Sequence, residues 1–118
     1  MKKVVLIESN VILREIIMET LELSGYKVFT SENGKKGIEM VNLEKPDVIL
    51  CATTMPEMDG YEAIPLIKAI PSQENTFVVA VTAQAMTGDR EKCLEAGADA
   101  YISKPVDVDK LLQILGEI

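Results

Sequence analysis

Three stretches of this chain, Val4 to Ile7, Val48 to Ala52 and Phe77 to Val81, are almost wholly apolar and are bounded by turn-forming residues. A strand with one face in water alternates apolar and polar side chains. Continuous apolarity therefore marks strands covered on both faces, as in a parallel sheet packed between helices. Tyr26 to Thr30 is more mixed and Ala98 to Ile102 is short, so both are expected nearer the edges of the same sheet.

Helical patterns fill the intervals. From Asn10, an expected N-cap, Leu13, Ile16, Ile17 and Leu21 recur at helical spacing until Ser24-Gly25 supplies a stop. Further helices are expected over 33–43, 61–69, 87–96 and 108–117, with Gly97 as a C-cap and Asp107 as the N-cap of the last. Pro65 lies inside the third and should keep it short or bent.

Strict alternation of strand and helix implies right-handed crossovers and an α/β fold, a doubly wound (βα)5 sandwich with residues 1–118 as one domain. In such folds, sites lie beyond the carboxyl ends of the strands, near the point where strand order reverses. The informative residues are then Glu8-Ser9, Ala52-Thr53-Thr54, Thr82-Ala83 and Ser103-Lys104-Pro105.

Composition removes several function classes. The 12 basic and 19 acidic side chains leave a net charge of −7, which argues against a nucleic-acid surface. The first apolar run is too short for a secretory signal or a membrane span, so the cytoplasm is the expected compartment. Two cysteines, Cys51 and Cys93, make no Cys-x-x-Cys pair, and with no histidine in the chain neither a zinc site nor a histidine-based nucleophile arrangement is expected. Cys51 ends an apolar run and reads as a core thiol. No Gly-x-Gly-x-x-Gly or Walker loop is present, which, with only 4% aromatic residues, weakens a flavin or nucleotide binder of the same architecture.

Pro46-Asp47-Val48-Ile49-Leu50, Met55-Pro56-Glu57-Met58-Asp59-Gly60, Val81-Thr82-Ala83, Ala96-Gly97-Ala98-Asp99 and Lys104-Pro105 occur in an order and spacing that resemble the receiver domain of two-component response regulators. The resemblance covers essentially the whole chain. It implies a flavodoxin-like sheet of strand order 2-1-3-4-5 and a non-enzymatic role in phosphorelay signal transduction.

In the family so resembled, an acidic pair after the first strand holds magnesium, and an aspartate ending the third strand takes a phosphoryl group from a partner's phosphohistidine. The acceptor must be a nucleophilic oxygen, and magnesium, which demands oxygen ligands, offsets the phosphoryl charge. A threonine hydroxyl and a lysine ammonium bind the phosphoryl oxygens. On this pattern Thr82 and Lys104 are retained, and Tyr101, with Thr82, occupies a switch position where an aromatic side chain changes rotamer.

The acidic pair reads Glu8-Ser9, and Ala52 stands where the acceptor belongs. A methyl group cannot accept phosphate. The expectation is a degenerate phosphorylation pocket of Glu8, Ser9, Ala52, Thr82 and Lys104, without cofactor and with a magnesium site lost or weak. A Glu8–Lys104 ion pair should replace part of the usual electrostatic network. Weak capture of a free anion by Lys104 and Thr82 is a lesser alternative.

Such a chain would act as a pseudo-receiver, a phosphorylation-independent interaction module. The resemblance implies histidine kinases, phosphotransfer proteins or effectors as partners, with no nucleic acid and no membrane. Its implied face comprises the fourth helix, fifth strand and fifth helix, with Asp89, Arg90, Glu91, Lys92, Asp107, Asp109 and Lys110 as polar positions and a homodimer as one use. The alternative is a phospho-accepting receiver whose acceptor was mutated to alanine or replaced by a nearby hydroxyl, Ser9, Thr53 or Thr54. Thr53 and Thr54 otherwise read as polar loop residues, and Glu57 and Asp59 as solvated turn acids. Thr54 and Gln84 match the positions that tune phosphoryl lifetime, and Lys104-Pro105 matches a place where receivers hold a cis peptide.

Overall fold

The structure, a computed structural model, describes residues 2–71, 73, 75–83 and 88–117. Five strands, β1 (Lys3–Ile7), β2 (Lys27–Ser31), β3 (Val48–Ala52), β4 (Phe77–Thr82) and β5 (Ala100–Ser103), alternate with five helices, α1 (Val11–Leu23), α2 (Gly34–Glu44), α3 (Gly60–Lys68), α4 (Asp89–Ala96) and α5 (Val108–Gly116). The strands form one parallel sheet of order β2-β1-β3-β4-β5. The strand order reverses between β1 and β3, which places their carboxyl ends, and that of β4, around one crevice.

The continuous apolarity of the central strands follows from the two layers that cover them. Val5, Ile7, Ile49, Cys51, Val78 and Ala80 pack with Val41 of α2, Ala63, Ile64 and Ile67 of α3, and Cys93 of α4. The alternate residues Val4, Leu6, Val48, Leu50, Val79 and Val81 pack with Ile17 and Leu21 of α1 and Leu111 and Leu115 of α5. Each large side chain so buried contributes about 1.5–3 kcal/mol. Gly37 lets α2 approach β1, because a Cβ there would meet Ile7 Cδ1 at 2.4 Å.

Asn10, Asn33 and Asp107 cap α1, α2 and α5 by accepting backbone N–H bonds, and Gly97 ends α4 at φ 113°. Five details differ from the sequence expectation. The second strand is Lys27–Ser31 rather than 26–30, and the fifth is Ala100–Ser103 rather than 98–102. Asp59 is no free turn acid: its Oδ1 accepts from Glu62 N at 3.0 Å, capping α3, which starts at Gly60 and runs through Pro65 to Lys68. Ile16, read as part of the inward stripe of α1, is half exposed. Thr53, read as a loop residue, is buried, and its N–H donates to Val81 O at 2.9 Å. Gln84 and Thr87 fall outside the described residues, as does the side chain of Asp89.

Candidate functional site

The carboxyl ends of β1, β3, β4 and β5 bring together Glu8, Ala52, Thr82 and Lys104. Glu8 follows β1, and its backbone continues the sheet by donating to Ser31 O at 3.0 Å. Its side chain is therefore carried inward, and the residue is only 2% exposed. A buried carboxylate needs partners. Oε2 accepts from Asn10 N at 3.0 Å, and Oε1 lies 3.0 Å from Lys104 Nζ. Oε1 nevertheless accepts no directed hydrogen bond, so the contact with the ammonium is an ion pair held by charge rather than alignment.

Lys104 reaches Glu8 because β5 delivers it. Its N–H donates to Thr82 O at 2.7 Å, extending the β4–β5 ladder by one residue, and its peptide bond to Pro105 is cis. The Lys104 side chain keeps 26% of its surface open, so the ammonium spans the boundary between the crevice and water. Thr82, the last residue of β4, is buried beside Ser103 in the strand register.

Ala52 ends β3, buried at 1% exposure and paired in register with Val81. The turn after it is held closely: Gly60 N donates to Thr53 O at 3.1 Å, and a Cβ on Gly60 would lie 2.4 Å from Ala52 O. Only glycine allows that approach. Thr54 is exposed, Ser9 is partly exposed beside Glu8, and Tyr101 is half-buried on β5 against the α2–α4 layer.

Two contributors escaped the sequence reading. Asn10 caps α1 with its side chain while its own N–H holds Glu8, and Arg14 Nη1 donates to Glu8 O at 2.8 Å from one turn further along. Asn10 was legible as a cap, but the Arg14 contact had no sequence signal. Lys92 of α4 lies over the Tyr61 ring of α3 at 4.2 Å, which occupies one of the expected surface charges.

Burial pushes the Cys51 thiol up to about 12, with smaller contributions from the charges of Asp59 and Glu8, so it is no nucleophile at neutral pH. No group of three or more acidic, cysteine or histidine side chains among the described residues is placed to hold a metal ion. No helix among them is long and apolar enough to cross a membrane.

A doubly wound sheet with strand order 2-1-3-4-5 and a charged crevice at its switch point defines a flavodoxin-like α/β protein. The sequence profile of the response regulator receiver domain matches residues 4–116, and the chain belongs to that family. Its relatives include the polar-differentiation response regulator DivK of Brucella anthropi, 32% identical over 97% of this chain and 93% of the relative. Among solved structures, the receiver domain of sensor histidine kinase PA1611 from Pseudomonas aeruginosa superposes with a TM-score of 0.91 at 32% identity, covering 98% of this chain and 95% of that one. That receiver is described with a magnesium ion coordinated in its active-site cleft. Chemotaxis protein CheY4 of Vibrio cholerae shares the fold, with a TM-score of 0.94 at 24% identity over 100% of this chain and 98% of that one. The chain is thus a receiver domain of two-component signalling, a module that works through contacts with other signalling proteins.

Proposed function

We propose that this chain is a pseudo-receiver, an interaction module that signals without accepting a phosphoryl group. The observation that carries the reading is the pairing of Lys104 with Glu8 beside a methyl group at Ala52. In a phospho-accepting site the lysine must be available to a phosphoryl oxygen and an oxygen nucleophile must end β3. Here the ammonium is already neutralised on the one carboxylate, and Ala52 supplies no nucleophile.

The donor set does not fit magnesium either. The ion requires several hard oxygen ligands, and carboxylates supply the charge that holds it. Glu8 is engaged on both oxygens, Ser9 offers a neutral hydroxyl, and Ala52 offers none. Glu8, Ser9, Ala52, Thr82 and Lys104 then form a degenerate pocket locked in one electrostatic state, with Thr82 and Tyr101 at the switch positions.

Buried Thr53 makes a poor substitute acceptor, since its exposure is 2%. The working surface on this reading is the α4–β5–α5 face, where Arg90, Glu91, Asp109 and Lys110 are exposed. The test is intact-mass analysis after incubation with magnesium and a small-molecule phosphodonor. No phosphoryl adduct is expected, whereas an adduct mapped to Ser9, Thr53 or Thr54 supports the replaced-acceptor alternative.

A further inference from the structure

The outer edge of the sheet, at β2, borders an open hollow of about 540 Å³ that lies apart from the crevice residues Ala52, Thr82 and Lys104. That volume lies within the range of small-molecule sites, about 300–1,000 Å³. Thr30 and Ser31 form its floor, Arg14 of α1 one wall, and Lys36, Glu39, Met40 and Leu43 along α2 the other. Thr30 pairs with Leu6 of the α1–α5 layer and Ser31 with Ile7 of the α2–α4 layer, so the hollow wraps around the strand edge.

The fold leaves several groups in this hollow unused. Ser31 is 8% exposed, and its Oγ is buried with no hydrogen-bond partner, an arrangement that folded chains rarely tolerate without a reason. Lys27 N donates to Lys2 O and Ser31 O accepts from Glu8 N, so Lys27, Phe29 and Ser31 face β1 and Thr30 turns its N–H to the open edge. Leu43 is 74% exposed, with Met40 half-buried one turn away, and together they present an apolar wall to water. The charges are balanced: Glu32 and Lys36 pair with each other, which leaves Arg14 on one wall and Glu39 on the other. Arg14 spends Nη1 on Glu8 O and keeps its remaining guanidinium donors.

We propose that this hollow binds a free aliphatic α-amino acid. The ligand carboxylate meets the Arg14 guanidinium and Thr30 N–H, its ammonium meets the Glu39 carboxylate and Ser31 Oγ, and its side chain lies on Met40 and Leu43. A simple anion would gain Arg14 and face Glu39, and a simple cation would do the reverse. A zwitterion gains both contacts, and an apolar tail is what the Met40–Leu43 wall can bury. Arg14 also holds Glu8 O, so one side chain ties the occupied hollow to the crevice. The inference goes beyond the pseudo-receiver reading and stands or falls without it, since no group of the hollow takes part in phosphoryl acceptance.

The test titrates the isotope-labelled full chain with L-leucine and, in parallel, with isocaproate, isoamylamine and glycine, which lack its ammonium, its carboxylate and its side chain. L-leucine in the millimolar range is expected to shift amides of Thr30, Ser31, Lys36, Met40 and Leu43, with Glu8 following through Arg14. Each analogue should bind at least about tenfold more weakly. Glu39→Gln and Leu43→Ser, both at exposed positions, should each weaken leucine binding several-fold while circular dichroism stays unchanged. Ser31→Ala should weaken it as well and leave the ligand-free chain no less stable, because it removes a hydroxyl that has no partner. No response around the hollow, or an equal response to isocaproate or isoamylamine, overturns the proposal. Shifts confined to the crevice, or native affinity in all three variants, overturn it too. Failure of the pseudo-receiver reading is read separately, as a response to magnesium and beryllofluoride.

Discussion

Replacing Lys104 with methionine should cost more stability than replacing Glu8 with glutamine. At 3.0 Å the pair attracts by about 5 kcal/mol at an effective dielectric constant near 20, and this offsets a desolvation penalty of several kcal/mol for the buried carboxylate. Lys104→Met removes the attraction and leaves the penalty. Breaking a fully buried pair typically costs about 3–5 kcal/mol. Here the Lys104 side chain is 26% exposed and Asn10 N still bonds Glu8 Oε2, so a discounted loss of about 2 kcal/mol is expected. Glu8→Gln leaves a lysine that can turn its ammonium outward, and its cost should stay below about 1 kcal/mol. Urea denaturation reads both, and with a slope of about 1.5 kcal/mol per M the Lys104→Met midpoint falls by about 1.3 M. The double variant should recover most of the Lys104→Met loss. Equal costs for the two single variants, or additive ones, would refute an ion pair as what stabilises this crevice.

Two further predictions concern packing and protonation. Gly60→Ala should destabilise by about 2–3 kcal/mol and Gly37→Ala by less, although both Cβ atoms meet a neighbour at 2.4 Å. The difference arises because Gly60 faces only backbone, at Ala52 and Thr53, whereas Gly37 faces the Ile7 side chain, whose Cδ1 and Cγ1 must both give, and gains helix propensity; thermal melts of the two variants compare them. Cys51, pushed from an ordinary 9.0 up to about 12 by burial, holds its share of stability below pH 9 and loses it as pH rises toward 12. Thiol labelling near neutral pH should therefore track global unfolding, and rapid labelling of Cys51 in the native chain would contradict its burial.

Much of the fold was legible because the central strands have no solvent face to disguise. Their apolar runs, such as Val48–Ala52, are copied almost directly into the sheet. The edges were harder. Ala98 and Asp99 were read as strand, yet Ala98 N closes α4 on Cys93 O, and Asp99 Oδ2 accepts from Val78 N and Lys68 Nζ to pin the entry to β5. The Ala98 bond belongs to the helix end that Gly97 signals, whereas the Asp99 contacts are tertiary and no local pattern announces them. The Asp59 cap did have a signal, an Asp followed three residues later by Glu62, which resembles a capping box. Ile16 misled because a helix with two apolar stripes satisfies helical periodicity in more than one way.

In the site, the Glu8–Lys104 pair followed from counting the charges at strand ends, since a cation and an anion left in one low-dielectric crevice find each other. The supporting bonds from Asn10 N and Arg14 Nη1 depend on how α1 departs from β1, a geometry that the sequence does not encode locally.

The most direct test of a receiver that does not accept phosphate is a two-dimensional amide spectrum recorded with and without magnesium and beryllofluoride, beside a Ser9→Asp/Ala52→Asp variant. The account predicts that Glu8, Thr82, Tyr101 and Lys104 stay unmoved in the native chain, whereas the variant, with its carboxylates restored, responds at those positions. Shifts at those residues in the native chain would contradict it.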